Sequence, residues 1–218
     1  DSKTQIVVVG NGMVGHHFVE QLHQSDANVE ITVLCGESRL AYDRVYLSSF
    51  FSGASADDLA LTTPAQYAQW GVSVVTNALV TDIDRDNKKV TTSEGQVFSY
   101  DKLVLATGSY PFVPPIPGNE QEHCLVYRTI DDLLAIEASA AVSSVGVVVG
   151  GGLLGLEAAN ALKQAGLDTH VVEFAPQLMA VQLDQAGGKV LKDKIEDLGV
   201  TVHTQKATQS IEAGNTCR

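Results

Sequence analysis

Ile6-Val7-Val8-Val9-Gly10-Asn11-Gly12-Met13-Val14-Gly15 is a run of apolar residues that empties into a glycine turn. A continuous apolar run flanked by Gly predicts a parallel strand buried on both faces. Val14, Phe18, Val19 and Leu22 then recur at helical spacing, and Val29-Glu30-Ile31-Thr32-Val33-Leu34 is a second β-rich run. The order is strand, Gly-rich turn, helix, strand. The plan returns 140 residues later, counted from Gly10 to Gly150. Val145-Gly146-Val147-Val148-Val149 precedes Gly150-Gly151-Gly152-Leu153-Leu154-Gly155. A helix is predicted over 153–165, and Thr169-His170-Val171-Val172-Glu173 reads as the next strand. A helix over 187–198 and a strand over 200–203 follow. So long a period is duplication of a module, not a solenoid. The expected fold is α/β, with two Rossmann-like dinucleotide-binding units.

Between the copies, Thr63-Pro64-Ala65-Gln66 predicts a helix start: Thr as N-cap, Pro at the first position, Gln completing a capping box. Gly71 should end that helix. Short runs at 72–75, 79–84, 88–92 and 96–99 predict one strand and a small antiparallel excursion. Leu103–Ala106 leads into Thr107-Gly108. The stretch PFVPPIPG, residues 111–118, cannot continue a helix or a central strand and reads as a linker. It divides the chain into expected domains 1–118 and 119–218.

The 218 residues are 44% hydrophobic and 18% charged, enough for a buried core. Fourteen Lys+Arg against 26 Asp+Glu give a net charge of −12. That balance argues against nucleic acid and against an anionic membrane surface, since both require clustered cations. Cys35, Cys124 and Cys217 are odd in number, distant and free of any CxxC. Neither a disulfide framework nor a thiolate zinc site is indicated. Residues 138–158 approach a membrane span in length, but three glycines behind a β-branched run fit a strand entering a turn. DSKTQIVVVG lacks the order of a signal peptide. A cytoplasmic setting is expected.

The glycine spacing carries chemistry. Gly10 and Gly150 allow the tight turn. Gly12 and Gly152 lack a Cβ, so a pyrophosphate can approach the backbone, and Gly15 and Gly155 let helix and strand pack closely. The helix start offers free N–H groups and a partial positive charge to phosphates. An acid at the end of the second strand then takes the ribose hydroxyls. Glu173 does so in the second copy, 23 residues after Gly150. Its carboxylate repels a 2′-phosphate, and no Arg occurs in the FAPQ that follows, so NAD is favoured over NADP. In the first copy the strand ends at Leu34-Cys35-Gly36, and Glu37 is the ribose candidate, with an exposed loop acid as the plainer alternative. Two dinucleotide sites suggest a flavin paired with a nicotinamide.

VVVGNGMVGHHFVE, YDKLVLATGSYPFVPP and VGVVVGGGLLGLEAANAL resemble the FAD, Ala-Thr-Gly and NAD motifs of two-dinucleotide flavoprotein reductases. AYDRVYLSSFF, VYRTIDDLLAIEA and HVVEFAPQLMAVQLDQAGG are similar to the NADH-dependent assimilatory nitrite reductase large subunits, and rubredoxin reductases share parts of them. The resemblance implies a diaphorase module. NADH would bind at the second turn and pass hydride to FAD. Electrons would then go to iron–sulfur and sirohaem centres in the longer polypeptide, or to a small subunit. It places Thr107 and Gly108 against FAD, Arg44 and Ser48 in a loop approaching the flavin, and Glu157 near the nicotinamide. It implies a glutathione-reductase-like fold in which this chain is a fragment, both domains incomplete and the closing FAD strand absent. A homodimer is left open.

The chain departs from that pattern in places. Gly36 stands where an acid is common, and Ser49 where rubredoxin reductases often carry Lys. Thiol–disulfide reductases, peroxidases and NADH oxidases need a Cys in the loop after the second strand, and 38–52 has none. Cys35 then reads as a small core residue. A rubredoxin-type reductase and a non-catalytic cofactor-binding fragment remain as alternatives. Of His16 and His17, one is expected to pack and one to face solvent. His23, His123, His170 and His203 read as separate. Trp70 reads as a core or helix-end residue, and Tyr42 and Tyr46 flank Arg44, with flavin stacking and plain packing both open.

Overall fold

The computed structural model describes residues 2–214. Cys217 lies outside the described residues. The chain forms two compact units. One runs to Tyr46 and adds Ser55–Ser109; the other takes Leu47–Ala54 and Tyr110 onward.

In the first unit, β1 (Thr4–Val9), β2 (Val29–Leu34), β3 (Val72–Val75) and β7 (Lys102–Leu105) form a parallel sheet in the order β3-β2-β1-β7. β1 is central, which explains its unbroken apolar run. Ile6 and Val8 pack with Ile31, Val33 and Val72 against Val19 of α1 (Met13–Gln24) and Tyr67 of α3 (Pro64–Gln69). Val7 and Val9 turn the other way, onto Leu34, Ala78 and Val90. Val90 belongs to the antiparallel sheet of β4 (Val80–Asp84), β5 (Lys89–Thr92) and β6 (Val97–Ser99), the expected excursion. α2 (Ala56–Leu59) is a short turn closed by a Ser55–Asp58 capping box.

In the second unit, β8 (Val145–Val149), β9 (Asp168–Val172) and β10 (Val200–His203) form a parallel sheet in the order β10-β9-β8. Val171, Val200 and Val202 pack with Ala159 of α5 (Leu153–Gln164) and with Leu191 and Ile195 of α6 (Gln185–Asp197). Here the sequence reading needs correction. The β8 run looks as fully buried as β1, yet Val145, Val147 and Val149 are 53%, 57% and 46% exposed. Among the described residues only β9 pairs with β8, and helices cover one face only.

Two further elements, α4 (Ile130–Ala140) and a 3-10 helix, lack a periodic signal. α4 begins at a Thr129–Asp132 capping box in which Asp replaces the usual Glu. The 3-10 helix spans Leu47–Ser52. α6 starts two residues before the expected helix, because Asp184 caps it by accepting from the Gly187 N–H at 2.7 Å.

Candidate functional site

The two glycine turns are built alike. Gly10 N–H donates to the Leu34 carbonyl at 2.9 Å, and Gly150 N–H donates to the Val172 carbonyl at 2.8 Å. Each turn is thereby tied to the end of the neighbouring strand. Gly10 has φ +103° and Gly150 φ +116°, a region that only glycine enters readily. A Cβ on Gly15 would collide with the Gly10 carbonyl oxygen, and one on Gly155 with that of Gly150. These four glycines are demanded by the protein's own backbone.

The middle glycine of each turn is different. A Cβ on Gly152 would meet nothing within 4 Å, and one on Gly12 only Arg44 Nε at 3.9 Å. Both have ordinary negative φ and serve as helix N-caps without a side-chain cap, and neither helix has an acid in its first turn. Amide hydrogens at the starts of α1 and α5 are therefore free to face an anion, in a hollow that a side chain would fill. Both turns fit a dinucleotide pyrophosphate.

Each turn lies near an acid. Glu173, just past β9, accepts from the Gly151 N–H and the Ala175 N–H, both at 2.6 Å. Those bonds use two of about four lone-pair sites on the carboxylate, leaving capacity for ribose hydroxyls. Glu37 accepts from the Tyr42 hydroxyl at 2.6 Å and forms an ion pair with the Arg44 guanidinium. Arg44 also donates to Tyr42 Oη at 2.9 Å and lies over the Tyr42 ring, 4.6 Å from its centroid. Tyr42 is thus a buried prop for the ion pair, while Tyr46 is exposed. Arg44, Glu37 and Gly12 converge in the first unit.

The other expected residues are more dispersed. Thr107 and Gly108 follow β7 and are exposed. Thr107 helps line a hollow of about 370 Å³ with Val9, Leu105 and residues 80–83. Ser48 is half-buried in the 3-10 helix and belongs to the second unit. Glu157 sits half-buried on α5, where burial raises its pKa. Tyr127 is 8% exposed, and its hydroxyl has no hydrogen-bond partner among the described residues. Burial, with the Glu157 carboxylate second, pushes that hydroxyl up to about 12. Sequence reasoning did not single out Tyr127.

His16 is buried and His17 is exposed. Trp70 caps α3 and stacks between His16 and His23. Contrary to the sequence reading, His170 and His203 are not separate: Nδ1 of the first lies 3.0 Å from Nε2 of the second. Parallel pairing sets His170 opposite Thr201, so His203 is its diagonal neighbour on one sheet face. Burial pushes the Cys35 thiol up, and it donates to the Arg39 carbonyl at 3.2 Å. Among the described residues, no cluster of three or more His, Cys, Asp or Glu could hold a metal ion. No described helix is long and apolar enough to cross a membrane.

The chain is 53% identical, over its whole length, to the nitrite reductase (NADH) large subunit of Escherichia coli (strain K12), and spans 26% of that relative. Among solved structures, it superposes on the covalent putidaredoxin reductase–putidaredoxin complex with TM-score 0.90 and 26% identity, covering 98% of this chain and 52% of that one. NADH:rubredoxin oxidoreductase from Clostridium acetobutylicum gives TM-score 0.85 and 28% identity, covering 95% of this chain and 54% of that one. The relatives are oxidoreductases longer than this chain. The model of one family, pyridine nucleotide-disulphide oxidoreductase, matches residues 4–217. With that match and two open glycine turns each near an acid, the chain belongs to the pyridine nucleotide-disulphide oxidoreductase family.

Proposed function

We propose that this chain is the NADH-to-FAD electron-input module of an assimilatory nitrite reductase large subunit, with FAD held within 1–118 and NADH within 119–218. The observation that carries the reading is the repeated anion site: an open middle glycine at an uncapped helix start, beside an acid near the next strand's end. Gly10, Gly12 and Gly15 shape the turn for the FAD pyrophosphate, and Gly150, Gly152 and Gly155 do the same for NADH. Glu37 and Glu173 take the two adenosine riboses. Arg44, close to Gly12, supplies a cation that the Glu37 pair holds in place. Thr107, Gly108 and Ser48 contact the flavin, and Glu157 offers a half-buried carboxyl beside the nicotinamide.

When both cofactors are bound, the nicotinamide supplies a hydride and the flavin releases electrons singly. The protein's task is then positioning, with reacting atoms about 3–3.5 Å apart and water excluded, and it needs no acid–base dyad. The onward acceptors are iron–sulfur and sirohaem centres of the longer polypeptide or a small subunit, in the cytoplasm. An absorption spectrum of the purified chain, with and without NADH, tests this. A yellow protein that bleaches with NADH and reduces ferricyanide is expected. A colourless protein, inert after FAD is added, refutes the reading.

A further inference from the structure

Behind the first glycine turn lies a closed polar relay that the site described above does not use. Asn11, the residue between Gly10 and Gly12, accepts from the Ala41 N–H through Oδ1 at 2.8 Å. Its Nδ2 donates to Tyr67 Oη at 2.8 Å, and Tyr67 Oη lies 2.9 Å from His16 Nδ1. Asn11, His16 and Tyr67 are 6%, 8% and 0% exposed. So buried a network is stable only when each member is satisfied.

The proton count follows from the partners. Ala41 N–H occupies the Asn11 oxygen, which orients the amide and points its NH₂ group at Tyr67. The Tyr67 oxygen accepts that hydrogen, and its own hydrogen goes to His16 Nδ1. His16 is therefore a neutral imidazole with its hydrogen on Nε2. The groups around it are Glu20 and His17 on its own helix, Tyr67 and Trp70 from α3, and Asn11 from the turn. Cys35 lies within electrostatic range of Tyr67. Burial lowers the His16 pKa, Glu20 opposes that shift, and His17 adds to it. Protonated His16 would aim a second hydrogen at the Tyr67 oxygen. The hydroxyl hydrogen would then lose its acceptor, and the hold on Asn11 would weaken.

We propose that Tyr67 and His16 are positioning residues for the dinucleotide at the first glycine turn. Acting through Asn11, they fasten that turn to Ala41, the residue that leads into Tyr42 and Arg44. The inference rests on the reading that this turn takes FAD, and it makes FAD retention depend on a neutral His16.

The test is FAD affinity of the 218-residue chain, read by flavin fluorescence at pH 7.5 and pH 5.5. In the wild type, Kd should rise severalfold in acid, with about tenfold as the limit for one pKa unit of coupling. His16→Asn places an amide oxygen where Nδ1 was and does not titrate. Its ratio of the two Kd values should fall to within about twofold. Tyr67→Phe keeps the ring and should weaken FAD about tenfold at pH 7.5, because the Asn11 amide loses its acceptor. An acid effect of the same size in His16→Asn and wild type overturns the proposal. So does tighter binding in acid, which would make His16 a direct cation for the phosphates. FAD that binds with either of those profiles leaves the underlying reading intact. A wild type that binds no FAD at either pH refutes both.

Discussion

Gly152 and Gly155 are three residues apart in one turn, yet their loss should have opposite consequences. The Gly152 backbone, at φ −82° and ψ −177°, is open to any residue, and its missing Cβ faces empty space. Gly152→Ala should therefore change stability by less than about 1 kcal/mol, the usual range for an N-cap exchange. It should nonetheless exclude the NADH pyrophosphate from the start of α5. Losing one hydrogen bond to a charged group costs roughly 1.5–3 kcal/mol, or about a 10- to 150-fold rise in Kd. A Cβ on Gly155 instead overlaps the Gly150 carbonyl oxygen, which is backbone fixed by its own turn. Normal carbon contacts need about 3.5–4 Å, so helix and turn must separate. Overpacking of this kind costs about 3 kcal/mol, which for a unit of this size lowers Tm by about 10 °C or more. Ligand-free melting by circular dichroism and NADH titration by fluorescence separate the two effects. Gly155→Ala melting with the wild type, or Gly152→Ala binding NADH at wild-type strength, would refute these assignments. Gly12→Val extends the test to the first copy, where FAD should be lost.

Glu173→Arg should shift the NADH/NADPH ratio of kcat/KM toward NADPH, because a cation replaces the carboxylate that repels a 2′-phosphate. An unchanged ratio would remove Glu173 from the ribose site. Tyr127→Phe should hold stability within about 0.5 kcal/mol of wild type or raise it, since the deleted hydroxyl has no partner to lose among the described residues. A large loss in urea unfolding would contradict this. His16 makes the first unit acid-sensitive. Its folded pKa lies below the ordinary value of 6.5, so its share of stability is complete above that value. That share is lost as pH falls toward the folded pKa, and His16→Asn should flatten urea midpoints measured across that window.

Much of this was legible in the residues because local chemistry enforces it. The turns announce themselves through glycine spacing, since no side chain fits at Gly15 or Gly155. Glu173 is found by counting from Gly150 along a strand and helix of standard length. The contacts around Glu37 are less visible. Tyr42 and Arg44 reach it from an irregular loop with no periodicity, and only folded geometry shows that they meet. The His170–His203 contact depends on the register of two parallel strands, which neither strand encodes alone. Tyr67 is 56 residues from Asn11. Its helix was predictable from the Thr63 cap, but not the face it would turn toward the first glycine loop. β8 misled for a related reason: an apolar run reports what a strand is suited to, not how many neighbours cover it.

The contrast between β1 and β8 sets how each unit opens. β1 is laddered on both sides, by β2 and β7, whereas among the described residues β8 has β9 on one side only. In a parallel strand, alternate amides point to opposite neighbours. Half of the β8 amides therefore lack a described strand partner, and their deuterium exchange should approach loop rates. The valine face of β8 adds little burial to hold the rest closed. Among the described residues, protection should therefore be deeper along β1 than along β8, although the two strands are similar in sequence.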